Sequence, residues 1–303
     1  MSASLGETVG EAGALARSAD LEVLLELLDL EEAGPDIFIG HHPDKVWSRT
    51  FGGQLVSQGL IAAGRTVGPG RPVHAVNAHF VRGGDPKKPI EYRVDRHRDG
   101  RSFANRTVTA MQDDQELFVM LAAFQDYGKG LEHGTPLPEV PDPDTLPRVE
   151  ESFAGLEDRL EMFVNAPHPI DMRYTNDPAW ILKGTGEKLN HNRVWMRTDG
   201  ALPDDPMIHV AALAYSSDTT VLDSIITTHG LSWGLDRIIA ATVNHSIWFH
   251  RPFRFDDWAL YATESPVAAG SRGLARGHFY SRTGELLATT VQEGVIRHFP
   301  SRR

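Results

Sequence analysis

Residues 244–253 read NHSIWFHRPF, and part of this stretch occurs earlier in the chain. Phe80-Val81-Arg82 matches Phe249-His250-Arg251 at an offset of 251 − 82 = 169 residues. Glu116-Leu117 and Glu285-Leu286 match at the same offset, 285 − 116 = 169. Matches in the same order and at the same spacing predict an internal duplication, in which one unit is used twice.

Both units follow the same pattern of a helix and then four strands. In the first unit a helix with small and large apolar residues at helical spacing follows Phe51-Gly52-Gly53-Gln54, and turn residues separate the strands predicted over residues 73–81, 90–95, 102–111 and 116–124. In the second unit a helix is predicted over residues 218–228, with strands over 240–249, 258–264, 272–281 and 286–297. Short turns between strands indicate antiparallel neighbours, so the fold class is α+β.

Five prolines lie between Gly128 and Arg148 and break any helix or central strand. We therefore predict an N-terminal unit over residues 1–128, a Pro-rich linker over 129–149 and a C-terminal unit over 150–303. Outside the repeats we predict helices over residues 20–32 and 150–164 and a strand over 193–197.

The composition and net charge of the chain exclude or disfavour several classes of function. The chain has 303 residues, a formal net charge of −11 and no cysteine, which disfavours nucleic-acid binding and excludes thiolate chemistry and disulfides. No apolar stretch is long enough to span a membrane, and Met1–Gly10 does not resemble a signal peptide. We expect a protein of the cytoplasm.

The motifs of several common enzyme classes are absent. The sequence contains no Gly-x-Ser-x-Gly, no phosphate-binding loop and no dinucleotide glycine fingerprint. His41-His42, His245 and His250 lack further ligands at metal spacing, so we predict neither a metal nor a cofactor.

A helix wrapped by antiparallel strands, present twice, describes a double hotdog fold. The stretch at 244–253 and Val291-Gln292-Glu293-Gly294-Val295-Ile296-Arg297 resemble signature motifs of the type II acyl-CoA thioesterase family. Residues 51–54, 80–90 and 98–103 resemble it too. The resemblance implies hydrolysis of acyl-CoA to a free acid and coenzyme A, and a homo-oligomeric assembly.

The resemblance also implies the catalytic residues. Carried over by motif, Asp218, Thr242 and Gln292 would hold the water that attacks the thioester. A carboxylate can accept a proton from this water, and a hydroxyl and an amide can orient it. We place Asp218 at the N-terminus of the second helix, where the helix dipole keeps it ionised and free N–H groups can receive an oxyanion.

Each residue also has a purely structural interpretation. Asp218 could be an ordinary N-cap, Thr242 an ordinary strand residue and Gln292 an exposed or buried amide. In the first unit their counterparts are predicted to be Gln54, Val73 and Gln125, so this half would lack a complete site.

Two other functions stay open. A hotdog hydratase or dehydratase could use Asp218 with His245, and a non-catalytic protein could bind acyl-CoA without hydrolysing it. The length of the preferred acyl chain does not follow from the sequence.

Overall fold

The computed structural model describes residues 18–43 and 49–299, so residues 1–17, with the Met1–Gly10 segment and the start of the predicted N-terminal unit, and residues 300–303 lie outside the description. The described chain forms twelve strands: β1 (Glu31–Gly34), β2 (Ile37–Gly40), β3 (Val73–Phe80), β4 (Ile90–Asp99), β5 (Phe103–Gln112), β6 (Gln115–Gln125), β7 (Ile170–Tyr174), β8 (His191–Thr198), β9 (Ile238–Phe249), β10 (Ala259–Ala269), β11 (Arg272–Ser281) and β12 (Leu286–His298). Its α-helices are α1 (Ala19–Leu28), α2 (Gly52–Arg65), α3 (Glu161–Val164), α4 (Ala179–Thr185), α5 (Pro206–Ser217) and α6 (Asp223–Thr228).

All twelve strands form one sheet in the order β1-β2-β4-β5-β6-β3-β9-β12-β11-β10-β8-β7, and the strand pairs are antiparallel. The first six strands and the last six have the same internal order, and they meet at β3 and β9. The predicted α+β double hotdog, with its duplicated antiparallel sheet, is therefore confirmed.

A local two-fold axis passes through the junction of β3 and β9. Asn77 lies opposite Ser246, and the Ser246 hydroxyl donates a hydrogen bond of 3.0 Å to the Asn77 side-chain oxygen. These two residues are 169 apart in the chain, which is the offset of the sequence repeat. Each strand also bulges at the equivalent residue, His74 in β3 and Val243 in β9.

Helices α2 and α5 pack against each other in opposite directions across this axis. The first turn of α2 contacts the last turn of α5 at Gly53 and Tyr215, and the last turn of α2 contacts the first turn of α5 at Gly64 and Met207. Every residue of α2 from Gly53 to Ala63 is buried, as its mixture of small and large apolar residues predicts. Together with the sheet, the two helices enclose the main apolar core.

The helix predicted over residues 218–228 is wrong in its extent. Helix α5 ends before Asp218, a turn follows, and α6 starts only at Asp223. The start signal of α5 is an Asp205 side chain that accepts a hydrogen bond of 2.9 Å from the Met207 N–H, with Pro206 in the first turn. The apolar residues of α5 from Met207 to Tyr215 are all buried or partly buried, which hides the helical periodicity that would have revealed it.

Other boundaries differ as well. The helix predicted over residues 20–32 ends at Leu28, because Glu31 already pairs in β1. The helix predicted over residues 150–164 is a short 3₁₀ helix, Val149–Phe153, followed by the single turn of α3. Strands β1, β2 and β7 and helix α4 have no counterpart in the sequence prediction.

The Pro-rich stretch packs against the outer face of the second half of the sheet. Leu137, Val140 and Leu146 contact a buried cluster that contains Trp195 and Trp258. The indole N–H of Trp195 donates a hydrogen bond of 3.0 Å to the carbonyl of Pro141. The boundaries 128 and 149 stay a prediction.

The contact between α2 and α5 predicts unequal effects of two glycine substitutions. In Gly53→Ala the new methyl group would overlap the Tyr215 carbonyl oxygen, which is fixed backbone, so the free energy of unfolding should fall by about 1–3 kcal/mol. In Gly64→Ala the methyl group would meet the mobile end of Met207, 2.6 Å away, and a gain in helix propensity of about 1 kcal/mol offsets the strain. Urea denaturation of both variants measures the difference, and equal losses would contradict this packing.

Candidate active site

The structure brings Asp218, Thr242 and Gln292 together, although they lie on three different elements. Asp218 is the C-cap of α5, Thr242 lies in β9 and Gln292 in β12. The Gln292 amide nitrogen donates to Asp218 Oδ1 over 2.8 Å and to Thr242 Oγ1 over 2.9 Å. The Thr242 hydroxyl donates to Asp218 Oδ1 over 3.1 Å.

These hydrogen bonds use every donor that the triad offers. Both amide protons of Gln292 and the hydroxyl proton of Thr242 are engaged, and three donors hold the three side chains in one arrangement. Asp218 Oδ1 thus accepts two hydrogen bonds, while Oδ2 lies on the other side, towards the start of α2. The carboxylate is positioned before any ligand arrives.

The start of α2 approaches the carboxylate closely. A Cβ on Gly52 would lie 2.5 Å from Asp218 Oδ2, so only glycine permits this approach. The backbone N–H of Gly53 donates to the carboxylate. The predicted position of Asp218 at the N-terminus of its own helix is therefore wrong: Asp218 ends α5 and faces the N-terminus of α2, from the other half of the chain.

Burial raises the pKa of Asp218 from its usual 3.8 to about 6. The hydrogen bonds from Gln292, Thr242 and the Gly53 N–H act in the opposite direction, because they stabilise the ionised form. A carboxylate whose pKa lies near neutrality is a stronger base than an exposed aspartate and is still ionised at pH 7.

His245 is buried behind the triad, and Ser217 holds it in place. The Ser217 hydroxyl donates to the Ala214 carbonyl over 2.8 Å, so the 2.8 Å contact with His245 Nε2 requires the histidine to be the donor. Burial lowers the pKa of His245 to about 4, with a smaller opposing effect of the neighbouring Gln292. A neutral histidine with its proton on Nε2 is a structural group and a poor proton carrier at neutral pH.

The sheet register corrects two of the predicted counterparts in the first half. His245 pairs with Gln292, and Val76, which is equivalent to His245 (245 − 76 = 169), pairs with Ala122. Ala122, and not Gln125, is thus the counterpart of Gln292 in the first half. The equivalent bulges support Val73 as the counterpart of Thr242.

Asp218 also has a different counterpart from the one predicted. Helix α2 takes the place of α5, and its C-cap is Thr66, so Gln54 in the first turn of α2 is not equivalent to Asp218. Sequence offsets missed this because the second half has an insertion that contains α6 between the helix and β9.

In the first half a buried arginine bonds to Thr66, the counterpart of Asp218. Arg106 is only 1% exposed, and it donates to Thr66 Oγ1 over 2.8 Å and to Asp99 over 2.6 Å. Its equivalent in the second half is Ala275 (275 − 106 = 169), which pairs with Gln292 in the sheet. The long side chain of Arg106 beside Ala122 fills the volume that Gln292 fills beside Ala275.

A mostly apolar cavity of about 210 Å³ is lined by Thr219, the residue that follows Asp218. Residues 149–180 form one wall, and Phe51 with residues from 215–233 forms the other. The cavity could not be predicted from the sequence, because its walls come from segments far apart in the chain.

The remaining candidates are engaged in other contacts. His41 contacts Glu31 over 3.1 Å, and His250 contacts Thr289 over 2.8 Å. Within residues 18–43 and 49–299 no three histidine, aspartate or glutamate side chains are grouped as metal ligands would be. In the same part of the chain no helix is both long and apolar enough to cross a bilayer.

Comparison with known proteins identifies the family. Residues 163–295 match the family model "Acyl-CoA thioesterase", and residues 43–125 match "Acyl-CoA thioesterase N-terminal domain". The chain is 35% identical to acyl-coenzyme A thioesterase 8 of Rattus norvegicus over 98% of this chain and 96% of the rat protein. The chain belongs to the type II acyl-CoA thioesterase family. The resemblance seen in the sequence motifs is confirmed.

Other members of this family and solved structures agree. Acyl-CoA thioesterase 2 of Haemophilus influenzae is 36% identical over 91% of this chain and 98% of that protein. The crystal structure of the acyl-CoA thioesterase II TesB2 from Mycobacterium marinum superimposes with a TM-score of 0.75 at 35% identity, covering 92% of this chain and 99% of that one. A hot dog fold protein from Alicyclobacillus acidocaldarius, 22% identical with a TM-score of 0.75 over 92% of this chain and 98% of that one, shares the fold.

The raised pKa predicts that Asp218 lowers stability at neutral pH. Because the folded-state pKa lies above the usual value, the ionised form costs free energy in the fold; the cost is absent below pH 3.8, grows up to pH 6 and is constant above it. Asp218→Asn should therefore raise the free energy of unfolding at pH 8 by about 1–2 kcal/mol, after allowance for the partial exposure of the side chain, and the gain should vanish near pH 4.

Asp256→Asn is the matched control for this measurement. Burial favours the neutral form of Asp256, but hydrogen bonds from Arg254 and the Leu202 N–H outweigh burial and lower its pKa. Asp256→Asn should therefore lower the stability at pH 8, the opposite sign. Urea denaturation at pH 4 and pH 8 compares the two variants, and the same sign for both would contradict the assignment.

Proposed function

We propose that this thioesterase hydrolyses acyl-CoA by direct attack of a water molecule that Asp218, Thr242 and Gln292 hold and activate. The observation that carries the proposal is the hydrogen-bonded triad itself, with 2.8 Å between the Gln292 amide nitrogen and Asp218 Oδ1. As a family member the chain is a thioester hydrolase, and acyl-CoA is the substrate class that its relatives' names give.

The chemistry follows from the geometry. Asp218 Oδ2 accepts a proton from the water while the water oxygen attacks the thioester carbonyl carbon. The tetrahedral intermediate collapses with cleavage of the carbon–sulfur bond, and the proton passes from Asp218 to the departing thiolate of coenzyme A. Thr242 and Gln292 keep the carboxylate oriented throughout.

Helix α2 contributes its N-terminus to this reaction. The N-cap residue is Phe51, whose side chain has no atom that can accept from the N–H groups of the first turn. The Gly53 N–H donates to the Asp218 carboxylate, and the other N–H groups of this turn could stabilise the oxyanion that develops on a thioester carbonyl next to Asp218. This proposal moves the predicted oxyanion site from the helix that follows Asp218 to the helix that faces it.

The hydratase alternative is less consistent with the site. It would need His245 as a proton carrier next to Asp218, but His245 donates to Ser217 and its pKa is lowered to about 4. Acyl-CoA binding without turnover is an outcome of the experiment below. Self-association and a cytoplasmic location stay predictions from the sequence.

Purified protein incubated with saturated acyl-CoA esters of increasing length should release thiol. A colorimetric disulfide reagent measures this release without background, because the protein has no cysteine. Asp218→Asn should lower kcat at least 100-fold, the scale of a lost general base, and Thr242→Val about tenfold or more. Asp256→Asn removes the same charge at the far end of α5 and should leave kcat unchanged. An active Asp218→Asn variant would refute the mechanism.

The pKa of Asp218 predicts the pH dependence of kcat/KM. The base must be ionised, so kcat/KM should rise about tenfold per pH unit below pH 6 and level off above it. Initial rates between pH 4.5 and 8.5 give the profile. A flat profile across pH 5–7 would exclude Asp218 as the group that accepts the proton.

A further inference from the structure

The last carbonyl of α5 belongs to Ser217, the residue that directly precedes Asp218. Carbonyls at the end of a helix have no N–H donor within the helix, so they need another partner. From strand β10 the Tyr261 hydroxyl donates to the Ser217 carbonyl over 3.0 Å, and both residues are fully buried. Because this carbonyl and the Asp218 N–H belong to one planar peptide unit, the contact fixes the backbone from which the proposed base extends.

Thr290 in β12 orients the tyrosine hydroxyl. Its Oγ1 lies 2.7 Å from the Tyr261 hydroxyl oxygen. A tyrosine has one hydroxyl proton and a carbonyl can only accept, so Tyr261 donates to Ser217 and accepts from Thr290. Burial raises the pKa of Tyr261, the hydrogen bond with Thr290 opposes this effect, and the charge of Asp218 adds to it. The hydroxyl therefore stays protonated at neutral pH and remains a donor.

The ring of Tyr261 is held in place by packing. It stacks on Phe279 with the ring centroids 4.0 Å apart and the ring planes at 6°. Gly277 makes room for this ring, because a Cβ there would overlap it and would also lie 2.9 Å from Thr290 Oγ1. A larger residue at position 277 would displace both side chains. The donor to the Ser217 carbonyl thus has one defined position.

Tyr92 is the counterpart of Tyr261 in the first half. The two positions differ by 261 − 92 = 169 residues, and their partners in the sheet, Ala110 and Phe279, differ by 279 − 110 = 169. Tyr92 is also fully buried, but its hydroxyl donates to the Gln58 side chain over 2.7 Å, in the middle of α2. The tyrosine therefore bonds to the end of the helix in the second half and not in the first.

One pair of residues beside these tyrosines also differs between the halves. The second half has Gly277 paired with Thr290, whereas the first half has Val108 paired with Met120. A valine fills the space that the glycine leaves open, and a methionine offers no hydroxyl. The space for the ring and the hydroxyl that orients it therefore both occur in the half that carries Asp218.

We propose that Tyr261 is a positioning residue of the thioesterase reaction, which holds Asp218 in place through the Ser217 carbonyl. The inference rests on the proposed function and deepens it by naming a residue that controls the position of the base. His245 provides a second contact, because it donates to the Ser217 hydroxyl over 2.8 Å. With its carbonyl and its hydroxyl both bound, Ser217 keeps the Asp218 carboxylate within reach of Gln292. Tyr261 is not among the residues that line the cavity, so it acts through Asp218.

Steady-state kinetics of Tyr261→Phe test the proposal, with thiol release measured on the saturated acyl-CoA ester that the wild type hydrolyses fastest. The variant keeps the ring and removes the hydroxyl, so kcat should fall about 10- to 100-fold, the loss expected for a catalytic group misplaced by about 1 Å. KM should stay close to the wild-type value, because Tyr261 contacts no substrate. A wild-type kcat, or a change in KM alone, would overturn the inference.

Tyr92→Phe is the matched control variant. It removes the same hydroxyl from an equally buried tyrosine, and Gln58 keeps its hydrogen bonds with Gln54 and with the Leu27 carbonyl. Both variants should lose stability in urea, and only Tyr261→Phe should lose kcat. Equal losses of kcat in the two variants would show general damage to the fold and would overturn the inference.

Thr290→Val and Thr290→Ser keep the proposal testable if Tyr261→Phe does not fold. Valine keeps the shape and removes the hydroxyl that donates to Tyr261, so kcat should fall about three- to tenfold, the effect of one hydrogen bond between neutral groups. Serine restores the hydroxyl and should restore most of kcat. The same kcat in both variants would contradict the assigned role of Tyr261.

Failure of the proposed function gives a different result. If the wild type hydrolyses no ester, hydrolysis is refuted, and the position of Asp218 is still measurable from the stability gained by Asp218→Asn at pH 8. This gain should be smaller in the Tyr261→Phe background than in the wild type, because a carboxylate that is no longer held can turn towards water. An equal gain in both backgrounds would overturn the inference.

Discussion

The contact between the Asp218 carboxylate and the first turn of α2 connects the two halves of the molecule and creates the site. Phe51 cannot cap α2, so the Gly53 N–H finds its acceptor in the other half of the chain. Glycine at positions 52 and 53 permits the approach, because a Cβ at either position would collide with the opposite half. The same contacts thus fix both the packing of α2 against α5 and the position of the Asp218 carboxylate.

This contact also determines the chemistry of the carboxylate. Burial between two helices and a sheet favours the neutral acid, and the donors around it favour the ion, with the balance near pH 6. An exposed aspartate would be too weak a base, and a buried one without donors would stay protonated at neutral pH. On the proposed mechanism this balance gives a base that works near neutrality, and it lowers the stability of the folded chain.

The two halves differ in which of two paired strands carries the large side chain. In the second half a glutamine beside Ala275 completes the triad, whereas in the first half Arg106 beside Ala122 fills the same space and bonds to Thr66. The fold keeps its two-fold sheet, since both arrangements fill the core equally. The second half provides the three side chains of the triad, and the first provides the helix end that faces them.

The sequence by itself determined the strands of both repeats and their antiparallel pairing, because period and turn residues are local properties of the chain. Its resemblance to the family named Asp218, Thr242 and Gln292. Helix α5, the position of Asp218 at its end and the counterparts Thr66 and Ala122 were decided only by the tertiary structure. A uniformly apolar helix has no periodic signal, and counting along the chain does not detect the insertion that contains α6. The apolar cavity was likewise not predictable from the sequence, because its walls come from segments that meet only when the chain has folded.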